Sequence, residues 1–244
     1  MTDWPQGYGL RQYAEIDSTN EEARRLIAAG EPGPIWLTAL RQTAGRGRRG
    51  RAWETAGGNL AATLLLRPAK PQAEWAELSF VAAIAVADMA AMLAQNSRIA
   101  LKWPNDVLAD GKKLAGILLE TGNGPAPALA IGIGVNLAHH PEGTEFPATS
   151  LAVSGATVPS PDEALALLAT GFSGWYDVWR AQGFTAIRDA WLARAAGLGS
   201  RIRARLATEE RSGMFEGIDE RGALLLNEGQ GRTSVLPAAD IFFG

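Results

Sequence analysis

Arg41-Gln42-Thr43-Ala44-Gly45-Arg46-Gly47-Arg48-Arg49-Gly50-Arg51-Ala52-Trp53 is the stretch from which the rest of the chain is best read. Over residues 45–51, four arginines alternate with three glycines. That is too basic for a core and too glycine-rich for a helix interior, where each Gly costs about 0.5–1 kcal/mol relative to Ala. A loop is expected, with a backbone able to approach a ligand closely while guanidinium groups converge on it. Guanidinium is always charged and offers forked donors suited to carboxylate and phosphate. A solvated basic loop or a nucleic-acid patch has the same composition, and the run alone does not separate them.

Working outward, residues 34–41 have the partly alternating, β-rich look of a strand leading into this loop, and residues 58–66 read as a strand leaving it, ended by Pro68. Upstream, Ser18 and Glu21 have the spacing of a capping box, so Glu15-Ile16-Asp17-Ser18-Thr19-Asn20 opens a helix that Gly30 and Pro32 stop. Downstream, Trp75, Leu78, Val81, Ala82, Ala85, Met89 and Met92 recur at helical spacing within residues 74–95. Residues 99–103 form a short strand halted by Pro104. Asp110-Gly111 is a hairpin signal between residues 107–109 and 113–120, and residues 128–137 return as an apolar strand containing Gly132 and Gly134. A polar loop, 139–149, is followed by two helical patterns, 161–182 and 185–195. From Ser200 the pattern changes to short strands, with turns expected at Ser212-Gly213, at 219–222 and at 228–231. The expected organisation is one α+β domain, residues 1–197, around a mixed, mostly antiparallel sheet flanked by helices, and a β module, residues 198–244.

Composition narrows the chemistry. The chain has 244 residues, 47% of them hydrophobic and 20% charged, enough to bury a substantial core. Its net charge is −3, so the basic loop is an island, which suits a small anionic ligand better than a polymer. There is no cysteine, which excludes disulfides, thiolate metal sites and a cysteine nucleophile. Residues 1–10 carry no apolar signal-like core. The apolar run 80–94 contains Asp88 and is read as too short to span a bilayer, so a cytoplasmic protein without membrane contact is expected.

Four polar clusters stand at strand ends: Ser18-Thr19-Asn20, the arginine loop, Lys102-Trp103-Pro104-Asn105-Asp106, and Lys112-Lys113-Leu114-Ala115-Gly116. Asn136 closes Gly132-Ile133-Gly134-Val135-Asn136. Each has an ordinary structural explanation alone: a helix cap, a solvated strand-end lysine, a turn, a hairpin flank, a core tryptophan.

Together, in this order and spacing, they resemble the motifs of biotin protein ligases, strongly over residues 13–136 and more loosely beyond. The resemblance implies a fold like that of class II aminoacyl-tRNA synthetases and biotin ligases, with a C-terminal SH3-like β-barrel. It implies ATP and Mg2+ as cofactors and biotin as substrate. Biotin carboxylate would attack the α-phosphorus of MgATP, and a lysine of a biotin carboxyl carrier protein domain would then take biotin from biotinyl-5′-AMP. Both nucleophiles come from outside the enzyme, whose work is to bring two anions together and stabilise the leaving pyrophosphate.

By the same resemblance, Ser18, Thr19 and Asn20 hydrogen-bond the ureido ring, and Gln42, Arg46, Gly47, Arg48, Lys113 and Gly116 complete the biotin site. Arg48, Arg51, Trp53, Asn105 and Asn136 meet the adenylate. Arg48, Lys113, Lys102 and Asp106 carry the chemistry. Mg2+ would be held through the ATP phosphates, with Asp106 the candidate protein ligand and no metal site built from protein groups alone. Loop 139–149 would fold over the adenylate and keep water from the anhydride.

A lipoate ligase of the same fold is the nearest alternative, and a nucleic-acid-binding module using the arginine loop is a more distant one. Only seventeen residues precede Ser18, the start of the first motif. The expected form is therefore the monofunctional one, with no DNA partner and a homodimer as one arrangement.

Overall fold

The computed structural model describes residues 4–55 and 57–243. Strand β1 (Gly9–Ile16) runs parallel to β2 (Ile35–Gln42), with helix α1 (Thr19–Ala28) as the crossover. β1 is an edge strand exposed over most of its length, so it lacks the alternation that would announce it in the sequence. β3 (Leu60–Leu66), α2 (Leu78–Leu93), β4 (Ile99–Lys102), β5 (Asp106–Ala109), β6 (Lys112–Gly122) and β7 (Ala128–Val135) follow. They complete a sheet in the order β1-β2-β3-β7-β6-β5-β4, antiparallel except for the first pair. The β5–β6 turn uses Asp110 and Gly111 at φ 50° and 76°, the left-handed conformation that this dipeptide supplies readily.

The two faces of the sheet carry different side chains. Leu129, Ile131, Ile133 and Val135 of β7 turn to one face and join a core with α2, α3 (Pro161–Gln182) and α4 (Phe184–Leu192). Ala128 and Ala130 turn to the other and pack with Ala23 and Ile27 of α1. Gly132 and Gly134 continue that second face and add no side chain of their own, so Asn20 and Trp53 rest directly on the strand backbone. The hollow that becomes the site thus comes from alternation in one strand.

Helix ends depart from expectation in one instructive place. Ser18 is the N-cap of α1, but its side chain accepts no cap bond. Asp17 Oδ1 accepts from the Ser18 N–H at 2.7 Å instead, and the Thr19 N–H donates to Gln42 Oε1 at 2.8 Å. Glu21, the other half of the expected box, is drawn off by Arg24 and Arg46. A capping box does form at α3, between Ser160 and Glu163 with Pro161 in the first turn.

The segment Gln72–Leu93 is 22 residues long and holds an 18-residue stretch of mean hydropathy 1.8, long and apolar enough to cross a membrane and longer than the run read from the sequence. Its most apolar stretch is 61% buried inside the fold. It is apolar all round because the sheet and α3 cover it, the situation of a core helix.

Strands β8 (Arg201–Arg205), β9 (Glu210–Ile218), β10 (Leu224–Gly229), β11 (Arg232–Leu236) and β12 (Asp240–Phe243) form a second sheet, ordered β11-β10-β9-β8-β12. A turn occurs at 219–222 as expected, and the turn expected at 228–231 narrows to residues 230–231 because β10 runs on to Gly229, while Ser212-Gly213 lies inside β9. Gly213 serves close approach there: a Cβ would come within 2.4 Å of the Asn227 carbonyl oxygen. The two sheets share one hydrophobic cluster, in which Ile202, Phe215, Ile218 and Leu224 pack with the core around α2 and α4. Trp103 Nε1 donates to the Gly222 carbonyl at 2.9 Å across the junction.

Candidate active site

A cavity of about 360 Å3 opens on the glycine-bearing face. Its floor is Gly116, Gly132, Gly134 and Ala61, and its walls come from five separate segments. The first is the start of α1, with Ser18, Thr19 and Asn20, all nearly inaccessible to solvent. Gln42, Arg46, Gly47, Arg48, Arg51 and Trp53 come from β2 and the arginine loop, and Lys102, Asn105 and Asp106 from the turn between β4 and β5. Lys113 and Asn136 sit at the ends of β6 and β7. Every residue singled out from the sequence therefore borders one space.

The loop distributes its cations unequally. Gly47 N–H donates to the Arg51 carbonyl at 2.7 Å, and Arg46 pairs with Ala52 as a β-bridge, closing the loop on itself. Arg46 is ion-paired with Glu21 and approaches Glu120 at 3.7 Å. Arg49 and Arg51 bind opposite oxygens of Asp240 at 2.9 and 3.0 Å. Among the described residues the Arg48 side chain hydrogen-bonds only a neutral partner, Asn105 Oδ1, at 3.0 Å. Burial works against its charge and pulls its pKa below the usual arginine range, though Asp240 and Asp106 oppose this. A half-buried cation without a carboxylate of its own is suited to receive an anion.

Lys113 Nζ lies 2.6 Å from the buried Asp106 Oδ1, an ion pair whose angle is not that of a hydrogen bond. Lys102 Nζ lies 3.8 Å from the other Asp106 oxygen and 4.1 Å above the Phe146 ring. Burial lowers the Lys102 pKa, with Asp106 pulling the other way. One carboxylate thus stands between two ammonium groups. Only four of the chain's 23 basic residues are lysines, and two of them face this cavity.

Trp53 covers the floor. A Cβ on Gly134 would lie 2.2 Å from its ring, and Lys113 Nζ sits 5.8 Å from the ring centroid. Asn136 Nδ2 donates to the Thr149 carbonyl at 3.0 Å, anchoring the end of loop 139–149.

Several lining residues escaped the sequence reading. Asp240, Ile241 and Phe242 of β12, and Glu145 and Phe146 of loop 139–149, complete the mouth. Glu145 holds Arg205 through both oxygens, at 2.5 and 2.8 Å, and Arg205 also reaches Asp240 at 3.4 Å. Burial opposes ionisation of Asp240, but Arg51, Arg49 and Arg205 outweigh it and hold the carboxyl below its usual range. Ala239-Asp240-Ile241 carries no local signal of this role, since the role arises only when the second sheet docks.

Among the described residues no group of three or more His, Cys, Asp or Glu could hold a metal ion. The cationic side chains that line the cavity suit the phosphates of MgATP.

Residues 14–136 match the biotin/lipoate A/B protein ligase family, and residues 197–244 match the biotin protein ligase C terminal domain. The biotin–[acetyl-CoA-carboxylase] ligase of Paracoccus denitrificans is 50% identical over 239 residues, covering 95% of this chain and 99% of that protein. The chain belongs to the biotin protein ligases. The bifunctional ligase/repressor of Bacillus subtilis is 33% identical over 98% of this chain and 75% of its own length. Among solved structures, a biotin protein ligase from Aquifex aeolicus in complex with biotin and ATP superposes with a TM-score of 0.84 at 26% identity, over 97% of this chain and 99% of that one. In this ligase the strand-end glycines and the arginine loop belong to the first matched region, and Asp240 to the second.

Proposed function

We propose that the enzyme joins biotin to ATP and passes it to a lysine of a biotin carboxyl carrier protein domain, as a biotin–[biotin carboxyl carrier protein] ligase with MgATP and biotin as substrates. In the first step a biotin carboxylate oxygen bonds to the α-phosphorus and the bond to pyrophosphate breaks. In the second, the acceptor amine bonds to the acyl carbon, the bond to AMP breaks, and the amine gives up a proton.

The observation that carries this reading is the uncompensated Arg48 beside the Lys102–Asp106–Lys113 cluster, above a glycine floor. Two anions that repel each other in water meet cations fixed beforehand by the fold, so little reorganisation is left for the transition state. Ser18, Thr19, Asn20, Gln42 and the backbone at Arg46-Gly47 take the biotin head group. Arg48 and Lys113 take the carboxylate and the α-phosphate. Arg51, Trp53, Asn105 and Asn136 take the nucleotide. Asp106, already flanked by ammonium groups, receives the acceptor lysine and its proton. Residues 1–197 act as the catalytic unit and 198–244 as the module that closes its mouth.

The carrier domain approaches along β6. β5 pairs with that strand only as far as Gly116, Asn105 pairs with Ile117, and among the described residues no strand covers 118–122 on the outer side. An open edge beside a reactive site suits an extended partner segment. The same edge suits a homodimer, which sedimentation over a range of concentrations tests. No DNA partner or membrane enters this reading, and the setting is cytoplasmic.

The test is biotin-dependent exchange of labelled pyrophosphate into ATP, with lipoate as control, followed by mass measurement of a carrier domain incubated with enzyme, biotin and ATP. Exchange driven by lipoate and not by biotin would sink the reading in favour of the lipoate alternative.

A further inference from the structure

Behind the side chains that take the biotin head group runs a chain of polar contacts that includes two residues with no role assigned above, Thr63 and Glu120. The Asn20 side chain, almost fully buried, donates from Nδ2 to Glu120 Oε2 at 2.8 Å. Its Oδ1 lies 2.6 Å from the hydroxyl of Thr63, a residue with no solvent exposure. Thr63 Oγ1 lies in turn 2.8 Å from the Thr19 hydroxyl, which reaches Gln42 Oε1 at 3.1 Å. Glu120 itself does not line the cavity.

The proton count along this chain is decisive. An ionised carboxylate only accepts, an amide presents a donor at one end and an acceptor at the other, and a hydroxyl has one proton. Glu120 therefore turns the Asn20 NH2 toward itself and the Asn20 carbonyl toward Thr63. That carbonyl and the Thr19 oxygen share the single Thr63 proton, and the Thr19 hydroxyl gives its own to the Gln42 carbonyl oxygen. Gly132 locks the arrangement sterically: a Cβ there would lie 2.2 Å from Asn20 Oδ1, so the amide is pressed against bare backbone.

We propose that Glu120 is a specificity-determining positioning residue, fixing through Asn20 and Thr63 the donor–acceptor polarity of the surface that reads the biotin ureido ring. This rests on the ligase reading above. A cyclic urea presents one carbonyl between two N–H groups, and only a site of fixed polarity distinguishes that pattern from its reverse. A glutamine at 120 has the same shape but can present either end, so the Asn20 amide is no longer held in one orientation.

The experiment is steady-state pyrophosphate exchange, with biotin and ATP varied separately, on wild type, Glu120→Gln, Thr63→Val and the double variant, with the Tm of each. Glu120→Gln and Thr63→Val are each expected to raise the KM for biotin by about ten-fold or more, the factor expected for a hydrogen bond to a charged group. The KM for ATP and kcat should stay near wild type. The double variant should bind biotin no worse than the poorer single one, because the two residues act through one amide. Thr63→Ser, which keeps the hydroxyl, should restore the KM even if Thr63→Val folds badly. An active Glu120→Gln enzyme with an unchanged KM for biotin overturns the proposal, as do losses that multiply in the double variant. Wild-type enzyme inert with biotin removes the ligase reading and this inference together.

Discussion

Arg48 differs from its neighbours in the loop by what it lacks. Arg46, Arg49 and Arg51 are each tied to a carboxylate, whereas Arg48 rests on an amide oxygen. Arg48→Ala is therefore expected to release biotinyl-5′-AMP about ten-fold faster or more, read as an off-rate by competition, since a hydrogen bond to a charged group is worth about 1.5–3 kcal/mol. Lys113→Ala should slow adenylation in single-turnover assays while the Tm barely moves, because Lys113 is partly exposed and Asp106 keeps Lys102 as a partner. A pH effect follows from Asp17, whose carboxyl Arg25 holds down to about 2. A carboxyl depressed in the fold contributes stability above its unfolded value, near 3.8, and that contribution is lost as pH falls through about 2. The pair is solvent-exposed, so Asp17→Asn should cost at most about 1 kcal/mol at neutral pH. Thermal melts of variant and wild type should converge by about pH 2, and a gap that persists there points to a cause other than the charge.

Strand β7 carries the argument at the scale of elements. Its alternation puts large apolar residues on one face, and on the other two alanines under α1, then two glycines under the cavity. Gly134→Ala would drive a methyl into the Trp53 ring, so tryptophan emission should shift and biotin affinity fall, with overpacking of this kind costing about 1–3 kcal/mol. An unshifted spectrum with full affinity would show that Trp53 does not rest on that glycine in solution. The strands bearing the motifs, the Asp110-Gly111 hairpin and the long helices were legible because each follows a local rule of periodicity or turn chemistry. β1 was not, since an exposed edge strand has no apolar face to alternate. The start of α1 misled for a related reason: Ser18 and Glu21 have capping-box spacing, yet Arg46 from a distant loop takes the glutamate and Asp17 accepts the Ser18 N–H in its place. Gly213 resembles a turn glycine and is instead a strand residue pressed by the Asn227 carbonyl. Local rules fail where the competing partner is remote in the chain.

In the whole molecule, the second sheet is tied to the arginine loop through one carboxylate, with Ile241 and Phe242 beside it at the mouth. Asp240 takes Arg49 and Arg51 of the arginine loop and Arg205 of its own sheet, and Arg205 holds Glu145 of loop 139–149. Asp240→Asn should free the arginine loop, read as several-fold faster tryptic cleavage after Arg48, Arg49 or Arg51 in the absence of substrate. Unchanged cleavage would mean that the loop is held by its own backbone bonds alone. The sparse lysines bear on a different hazard. An acyl-adenylate that escapes acylates any free amine it meets, and this chain offers few. Lys102 is sunk beneath Phe146, Lys113 is paired with Asp106, and of the remaining two, Lys70 is paired with Glu74 while Lys112 lies exposed beside the hairpin turn. A surface whose positive charge is almost all guanidinium is a poor target for its own leaked product, so stray label, when a leaky variant produces it, should gather on Lys112.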